Sequence, residues 1–134
     1  MLAFIISAIL SLTADFTQTK HVAMMKEPQM SQGHMVYRAP DYMKWQYTKP
    51  NAIVWEINGQ ESNVNPQIQN LLRMIMASVA GEGVEDAKLE KESKRLFKSV
   101  NIVMDEKSRV AQRVELVEKN GDTTIIEFKN VVTK

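Results

Sequence analysis

The sequence contains no cysteine, and this absence removes several kinds of chemistry at once. Disulfides, thiolate metal sites and cysteine nucleophiles are all excluded. The absence leaves the compartment open, because exported proteins need not carry disulfides.

Histidine is almost as scarce, since His21 and His34 are the only two in the chain. Neither lies at a ligand spacing with a second histidine or a carboxylate, so surface strand positions are the favoured interpretation and no metal is expected. No serine has a nucleophile-elbow context, no paired-carboxylate site is evident, and Gly59, Gly81 and Gly83 do not form a phosphate loop. We therefore expect no cofactor and no enzymatic activity, although clustering of either histidine with acidic side chains would revive an enzyme hypothesis.

The chain also lacks an excess of charge, with 17 basic and 16 acidic residues among 134. No basic cluster is interleaved with aromatic residues, so we expect no nucleic-acid partner. The length predicts a single domain over residues 1–134. Nine methionines are present, and their adaptable side chains suit either a core or a promiscuous apolar binding surface.

Residues 1–12 are almost wholly apolar. The run is too short to span a bilayer but fits the hydrophobic region of a signal peptide, so residues 1–13 are interpreted either as a signal remnant or as an N-terminal helix. The helical alternative rests on apolar residues at helical spacing. These are Leu2, Ile5, Ile9, Leu12 and Phe16.

Gly33 to Pro50 is the stretch around which the chain is organised, because it reads as two antiparallel strands folded about Pro40-Asp41. Along its second arm, period-two alternation places Met43, Trp45 and Tyr47 on one face. The pattern recurs before an Asn58-Gly59 turn signal, where Ile53, Trp55 and Ile57 share a face. Two neighbouring strands that each carry a tryptophan indicate an apolar wall.

A helix is predicted after Asn65, which is a good N-cap and is followed by proline at the first helical position. Its apolar stripe ends at Gly81, and a charge-rich segment, Glu85 to Arg95, follows as a solvated helix or loop. The stripe consists of Ile68, Leu71, Leu72, Ile75 and Val79.

Four further strands, added to the two arms of the hairpin and the strand Ile53 to Ile57, bring the predicted total to about seven. The last three form a meander with turns at Asp105 to Ser108 and Asn120 to Asp122. Their apolar faces contain Val100, Ile102 and Met104, then Val110, Val114 and Leu116, then Ile126, Phe128 and Val132. The predicted strands are Phe16 to Met25, Met30 to Arg38, Phe97 to Met104, Arg109 to Lys119 and Thr123 to Val132.

These elements predict an α+β fold in which a strongly curved antiparallel sheet, an unclosed β-barrel, is covered by lid helices. Periodicity alone favours a solid core between sheet and helix over a ligand cavity.

Several short motifs occur in a fixed order along both halves of the chain. They are Phe16-Thr17-Gln18-x-Lys20, Ser31-x-Gly33, Pro40-x-Tyr42-Met43-Lys44-Trp45-Gln46-Tyr47-x-x-Pro50, Asn58-Gly59, Phe97-Lys98-Ser99-Val100, and Glu118 to Ile126 with Phe128. This ordered set resembles the periplasmic outer-membrane lipoprotein carrier family, the LolA-like proteins.

The resemblance implies a cavity between barrel and lid that holds lipoprotein acyl chains on their way from the inner to the outer membrane. It implies acylated lipoproteins, an inner-membrane lipoprotein exporter and an outer-membrane acceptor as partners, and a monomer in the periplasm. The expected ligand-binding residues are apolar side chains of the wall and the helix stripe. They are Met43, Trp45, Tyr47, Ile53, Trp55, Ile57, Ile68, Leu71, Leu72, Ile75, Val79 and Phe128.

The sequence departs from the family pattern at a lid-latching arginine, whose position holds Ala39. Arg38 lies one residue earlier, and a one-residue shift on a strand directs a side chain to the other face, so the latch is not assigned to Arg38. The chain is also shorter than expected after Gly59 and between Gly81 and Leu96. The alternative to a carrier is a solid-core envelope module that binds a protein or surface component without a lipid cavity.

Overall fold

A computed structural model describes residues 10–59, 61–79, 95, 97–107 and 110–134. Its secondary structure consists of eight strands and one long helix within those residues. The elements are β1 (Ser11–His21), β2 (Gln29–Arg38), β3 (Tyr42–Lys49), β4 (Ile53–Asn58), β5 (Glu61–Ser62), α1 (Pro66–Val79), β6 (Phe97–Met104), β7 (Ala111–Glu118) and β8 (Thr123–Thr133).

All eight strands belong to one antiparallel sheet in the order β5-β4-β3-β2-β1-β8-β7-β6. The first strand therefore pairs with both the second and the last, and β5 and β6 form two separate edges. The sheet is unclosed, as predicted. Two differences in number also emerge: the strand Glu61–Ser62 was not predicted, and one helix rather than several is present in the described part of the chain.

The sheet is bent, so that strands far apart in the strand order line the same pocket. Trp55 of β4 and Phe97 of β6 line the same pocket, although six strand spacings separate their strands in the sheet order. In a flat sheet that separation would be roughly 29 Å. The curvature agrees with the predicted unclosed barrel.

The first strand corrects the sequence-based interpretation of the N-terminal region. The predicted strand from Phe16 to Met25 instead begins at Ser11 and ends at His21. The helical alternative is wrong for Leu12 and Phe16, which lie in this strand and are 2% and 1% exposed. Residues four apart share a face in a helix and in a strand alike, so the spacing did not discriminate. Residues 1–9 lie outside the described residues.

The β2–β3 hairpin confirms the organising stretch. Its turn lies at 39–41, and along β3 Met43 and Trp45 are buried at 0% and 1% exposure while the intervening residues are more exposed. The predicted Asn58-Gly59 turn is also present, and Gly59 has a φ of 63°, a conformation that glycine adopts without strain.

Helix α1 begins as its sequence predicts. Asn65 Oδ1 accepts a hydrogen bond from the Ile68 backbone N–H at 2.9 Å, and Pro66 occupies the first helical position. Leu72 and Ile75 are each 1% exposed and join the core, which fixes the helix on the sheet. The predicted end at Gly81 and the charged segment 85–94 lie outside the described residues.

A β-bulge near the end of β8 makes one predicted apolar position wrong. Thr13 pairs with Val132 but Asp15 pairs with Lys129, so two residues of β8 oppose Ala14. Asn130 in the bulge has a φ of 55°. Beyond it the strand faces are exchanged, and Val132 is 54% exposed instead of sharing the buried face of Phe128.

The side chain of Asn63 extends the sheet beyond β5. Its Oδ1 accepts from the Glu56 backbone N–H at 2.8 Å, and its Nδ2 donates to the Val54 carbonyl at 3.0 Å. Asn63 therefore pairs with β4 much as a peptide group of a neighbouring strand would.

Candidate ligand-binding pocket

An open pocket of about 470 Å³ lies between the sheet and α1. On the sheet side, Trp45, Tyr47 and Trp55 come from successive antiparallel strands, because Trp45 pairs with Trp55 and Tyr47 lies two residues further along β3. On the helix side, the stripe faces them with Ile68, Leu71, Leu72 and Ile75. Residues of β6, β7 and β8 complete the apolar lining, namely Phe97, Leu116 and Ile126.

Stacked and edge-on aromatic rings pack together on the sheet side of the pocket. The rings of Phe16 and Trp45 stack with centroids 4.0 Å apart, and Tyr47 meets Trp55 edge-on at 5.3 Å. Such pairs add about 0.5–1.5 kcal/mol each to the free energy of apolar burial. The pocket wall is therefore preformed by core packing.

The Tyr47 hydroxyl is a partly buried polar group in this wall. It donates a hydrogen bond to Gln18 Oε1 at 2.7 Å. Burial raises the pKa of Tyr47, and contacts with Trp45 and Gln18 oppose the rise. The nearby Trp45 Nε1–H is buried and has no well-aligned acceptor among the described residues. The raised pKa keeps Tyr47 neutral at physiological pH, so this residue adds no charge to the pocket lining.

One end of the pocket is charged and polar. Lys20 Nζ lies 4.0 Å from Glu118 Oε2, and Lys119, Asn120 and Thr124 line the same end. This arrangement can hold an apolar chain inside while its polar end stays in water.

The structure brings together seven of the twelve side chains expected from the sequence. Met43, Ile57 and Phe128 instead belong to the core and do not line the pocket. Ile53 is 44% exposed and lies outside the lining, and the Val79 side chain lies outside the described residues. The seven that line the pocket are Trp45, Tyr47, Trp55, Ile68, Leu71, Leu72 and Ile75. Their role in ligand binding stays a prediction.

Sequence reasoning missed the contribution of β1 to the pocket. Gln18 and Lys20 line it because β1 pairs with β8 and so lies beside Thr124 and Ile126. The period-two pattern from Phe16 through Gln18 to Lys20 was a usable signal. The pairing of the first strand with the last was not readable from local patterns.

A histidine and an aspartate do come together, but outside the pocket. His34 Nδ1 lies 2.9 Å from Asp15 Oδ1, and Asn130 Nδ2 donates to Asp15 Oδ2 at 2.9 Å. The hydrogen bonds from Asn130 and His34 hold the pKa of Asp15 below its ordinary value. Both side chains of the pair are nearly half exposed, on the sheet face opposite Phe16.

The described residues extend this pair into neither a catalytic triad nor a metal site. No described nucleophile is hydrogen-bonded to the histidine, and no group of three His, Cys, Asp or Glu side chains there is arranged to hold a metal ion. In the same part of the chain, no helix is long and apolar enough to cross a membrane.

Comparison with known proteins agrees with this geometry. Residues 7–134 match the family described as "Outer membrane lipoprotein carrier protein LolA". The chain therefore belongs to the LolA family, a family of periplasmic carrier proteins.

A search of curated sequences finds no match. Among solved structures, a DUF1329 family protein from Desulfovibrio piger is 6% identical with a TM-score of 0.37, over 94% of this chain and 86% of that one.

Proposed function

We propose that this protein is a non-enzymatic periplasmic carrier that shelters lipoprotein acyl chains and moves them from the inner to the outer membrane. The observation that carries the proposal is the open apolar pocket of about 470 Å³ between sheet and helix. Its volume falls within the roughly 300–1,000 Å³ of ordinary ligand pockets. Membership of the lipoprotein carrier family supports lipoproteins as the class of cargo.

The lining suits hydrocarbon rather than a polar substrate. Aromatic side chains form one wall and aliphatic side chains of α1 form the other. Burying a methylene group of an acyl chain yields about 0.8 kcal/mol. A ligand of this kind therefore needs no covalent bond to the protein, and no cofactor.

Release is eased by the same geometry that permits uptake. The pocket is open to solvent along part of its surface, so part of the acyl chain stays hydrated and part of the transfer free energy is not realised. The apolar stripe of α1 also competes with the ligand for the sheet. We infer from the family that an inner-membrane exporter loads the carrier, that an outer-membrane acceptor unloads it, and that the carrier acts as a monomer.

The test is uptake of a fluorescent fatty acid by the purified protein and by a Leu71→Glu variant. Leu71 lines the pocket and is only partly buried, so a carboxylate there reaches water at the pocket opening and the fold is retained. Leu71 is a better position than Trp45, whose 1% exposure makes a charge incompatible with folding. We expect affinity to fall at least tenfold, because one side of the acyl site becomes charged.

Val103→Glu is the matched control. Val103 is 42% exposed and lies outside the pocket lining, so the same charge change there leaves uptake unaltered. Equal uptake by wild type and a folded Leu71→Glu variant would remove the cavity assignment. Absence of uptake by the wild type, together with absence of co-purifying lipid in native mass spectrometry, would favour the solid-core envelope module instead.

A further inference from the structure

The end of the sheet at which the pocket has its charged lining also carries an unusual set of exposed apolar side chains. Met24 and Met25 lie in the β1–β2 turn and are 94% and 50% exposed, and Met30 at the start of β2 is 60% exposed. Of the nine large apolar side chains exposed in the described residues, five belong to this end. The other two are Ile53 and Val54 at the start of β4.

The strand register places this turn beside the polar end of the pocket. The Ala23 backbone N–H donates to Asp122 Oδ1 at 3.2 Å, which joins the β1–β2 turn to the β7–β8 turn. His21 pairs with Thr123 across the same two turns. Lys119 and Asn120 in the β7–β8 turn line the pocket, so the exposed methionines flank its polar end.

Among the described residues of β1 to β3, β6 to β8 and their connecting turns at this end of the sheet, basic side chains outnumber acidic ones by five to three. Lys20 lies near Glu118, whereas Lys26, Lys49, Lys98 and Lys119 form no ion pair with another described residue. Asp122 is already hydrogen-bonded by Ala23 and Asn120. The three acidic residues are Glu27, Glu118 and Asp122.

Exposed apolar side chains on a turn, accompanied by lysines that form no ion pair with another described residue, are a combination that binds an anionic bilayer surface. Methionine side chains enter the boundary between headgroups and acyl chains, and each lysine close to the surface adds attraction to anionic lipid. A protein partner of mixed charge would not require an excess of lysines beside exposed apolar side chains.

We propose that this tip, formed by Met24, Met25 and Met30 with Lys26, Lys49, Lys98 and Lys119, docks the protein on anionic membrane surfaces with the polar end of the pocket beside the bilayer. The proposal goes beyond the proposed carrier function, because apart from Lys119 the tip lies outside the pocket lining, and docking holds whatever the pocket binds.

The absence of cysteine gives a direct test. Met24→Cys and Val103→Cys variants, each labelled at its single thiol with an environment-sensitive dye, are mixed with vesicles of equal parts phosphatidylglycerol and phosphatidylethanolamine. We expect the dye at position 24 to shift to shorter wavelength and gain intensity, while the dye at position 103 stays as in water. An unshifted dye at position 24, or equal shifts at both positions, would overturn the proposal.

Vesicle flotation separates the two components of binding. Met24→Ser/Met25→Ser and Lys26→Glu/Lys49→Glu should each reduce binding of unlabelled protein at least fivefold, and Val132→Ser should leave it unchanged. Phosphatidylcholine vesicles should bind at least fivefold less than the anionic ones, and added salt should reduce binding to the anionic vesicles. Circular dichroism confirms that the variants are folded, and full binding by either folded double variant contradicts the assignment.

The same variants distinguish this proposal from the carrier function. Met24→Ser/Met25→Ser should keep fatty-acid uptake in the absence of vesicles, and Leu71→Glu should keep vesicle binding while it loses uptake. If the Leu71→Glu variant loses vesicle binding as well, docking belongs to the pocket and the separate surface is refuted.

Discussion

Replacing Gly33 by alanine tests the packing that forms the pocket wall. A Cβ atom at this position would lie within 3.0 Å of the Gln46 carbonyl oxygen and of two ring atoms of Phe16. The Phe16 ring is 1% exposed and stacks on Trp45, so neither neighbour can move without displacing the wall. We expect a loss of about 3 kcal/mol in the free energy of unfolding, at the upper end for overpacking, and a fall of about 12 °C in Tm.

Urea unfolding followed by tryptophan fluorescence measures the effect. Gly121→Ala is the matched control, because Gly121 has a φ of 95° and nothing lies within 4 Å of an added Cβ. The free energy of unfolding of this variant should fall by only about 1 kcal/mol, because of backbone strain. In the double variant Gly33→Ala/Phe16→Leu, the smaller leucine side chain removes part of the clash. Its loss in the free energy of unfolding should therefore be about 1 kcal/mol smaller than the sum of the losses in the two single variants. A Gly33→Ala protein as stable as wild type would refute this account of the wall.

Three further predictions concern hydrogen bonds. Asn130→Gly removes the amide that donates to Asp15, and glycine tolerates the positive φ at this position. NMR titration should show a higher Asp15 pKa in the variant, and an unchanged pKa would contradict this. The lowered Asp15 pKa stabilises the wild-type fold above the ordinary aspartate pKa, an effect lost as the pH falls through the folded-state pKa, so this stabilisation should be smaller in the variant. Asn65→Ala removes the α1 N-cap and should cost about 1 kcal/mol in urea unfolding, whereas Asn65→Ser should recover most of it. Arg73→Ala removes the hydrogen bond from Arg73 Nη2 to the Gly59 carbonyl at 2.9 Å. It should lower the free energy of unfolding by about 1 kcal/mol and speed amide hydrogen exchange in α1. Unaltered exchange would show that this contact does not hold the helix.

Local patterns predicted the elements whose causes are local. The β3 alternation identified Met43 and Trp45 as buried, and the Asn65 cap located the start of α1, because each signal and its result lie within a few residues. The turn at Gly59 was predicted for the same reason, since its backbone conformation follows from the Asn-Gly pair.

Features that depend on distant pairing could not be predicted in this way. The pocket position of Lys20 follows from the pairing of β1 with β8, more than a hundred residues later. The exposure of Val132 follows from a bulge stabilised across that same pairing, where Asn130 bonds Asp15. Helical and strand periods also coincide at a spacing of four, which is why Leu12 and Phe16 were compatible with the wrong element.

The amide of Asn63 has a consequence for how molecules of this protein behave toward one another. The Asn63 amide is hydrogen-bonded to the Val54 carbonyl and the Glu56 N–H. These backbone groups at the sheet edge are therefore not available to pair with a strand of a second molecule. One short side chain thus limits edge-to-edge aggregation where another full strand would otherwise be needed. Exchanging it for alanine should leave each molecule folded yet shorten the time to precipitation in concentrated samples.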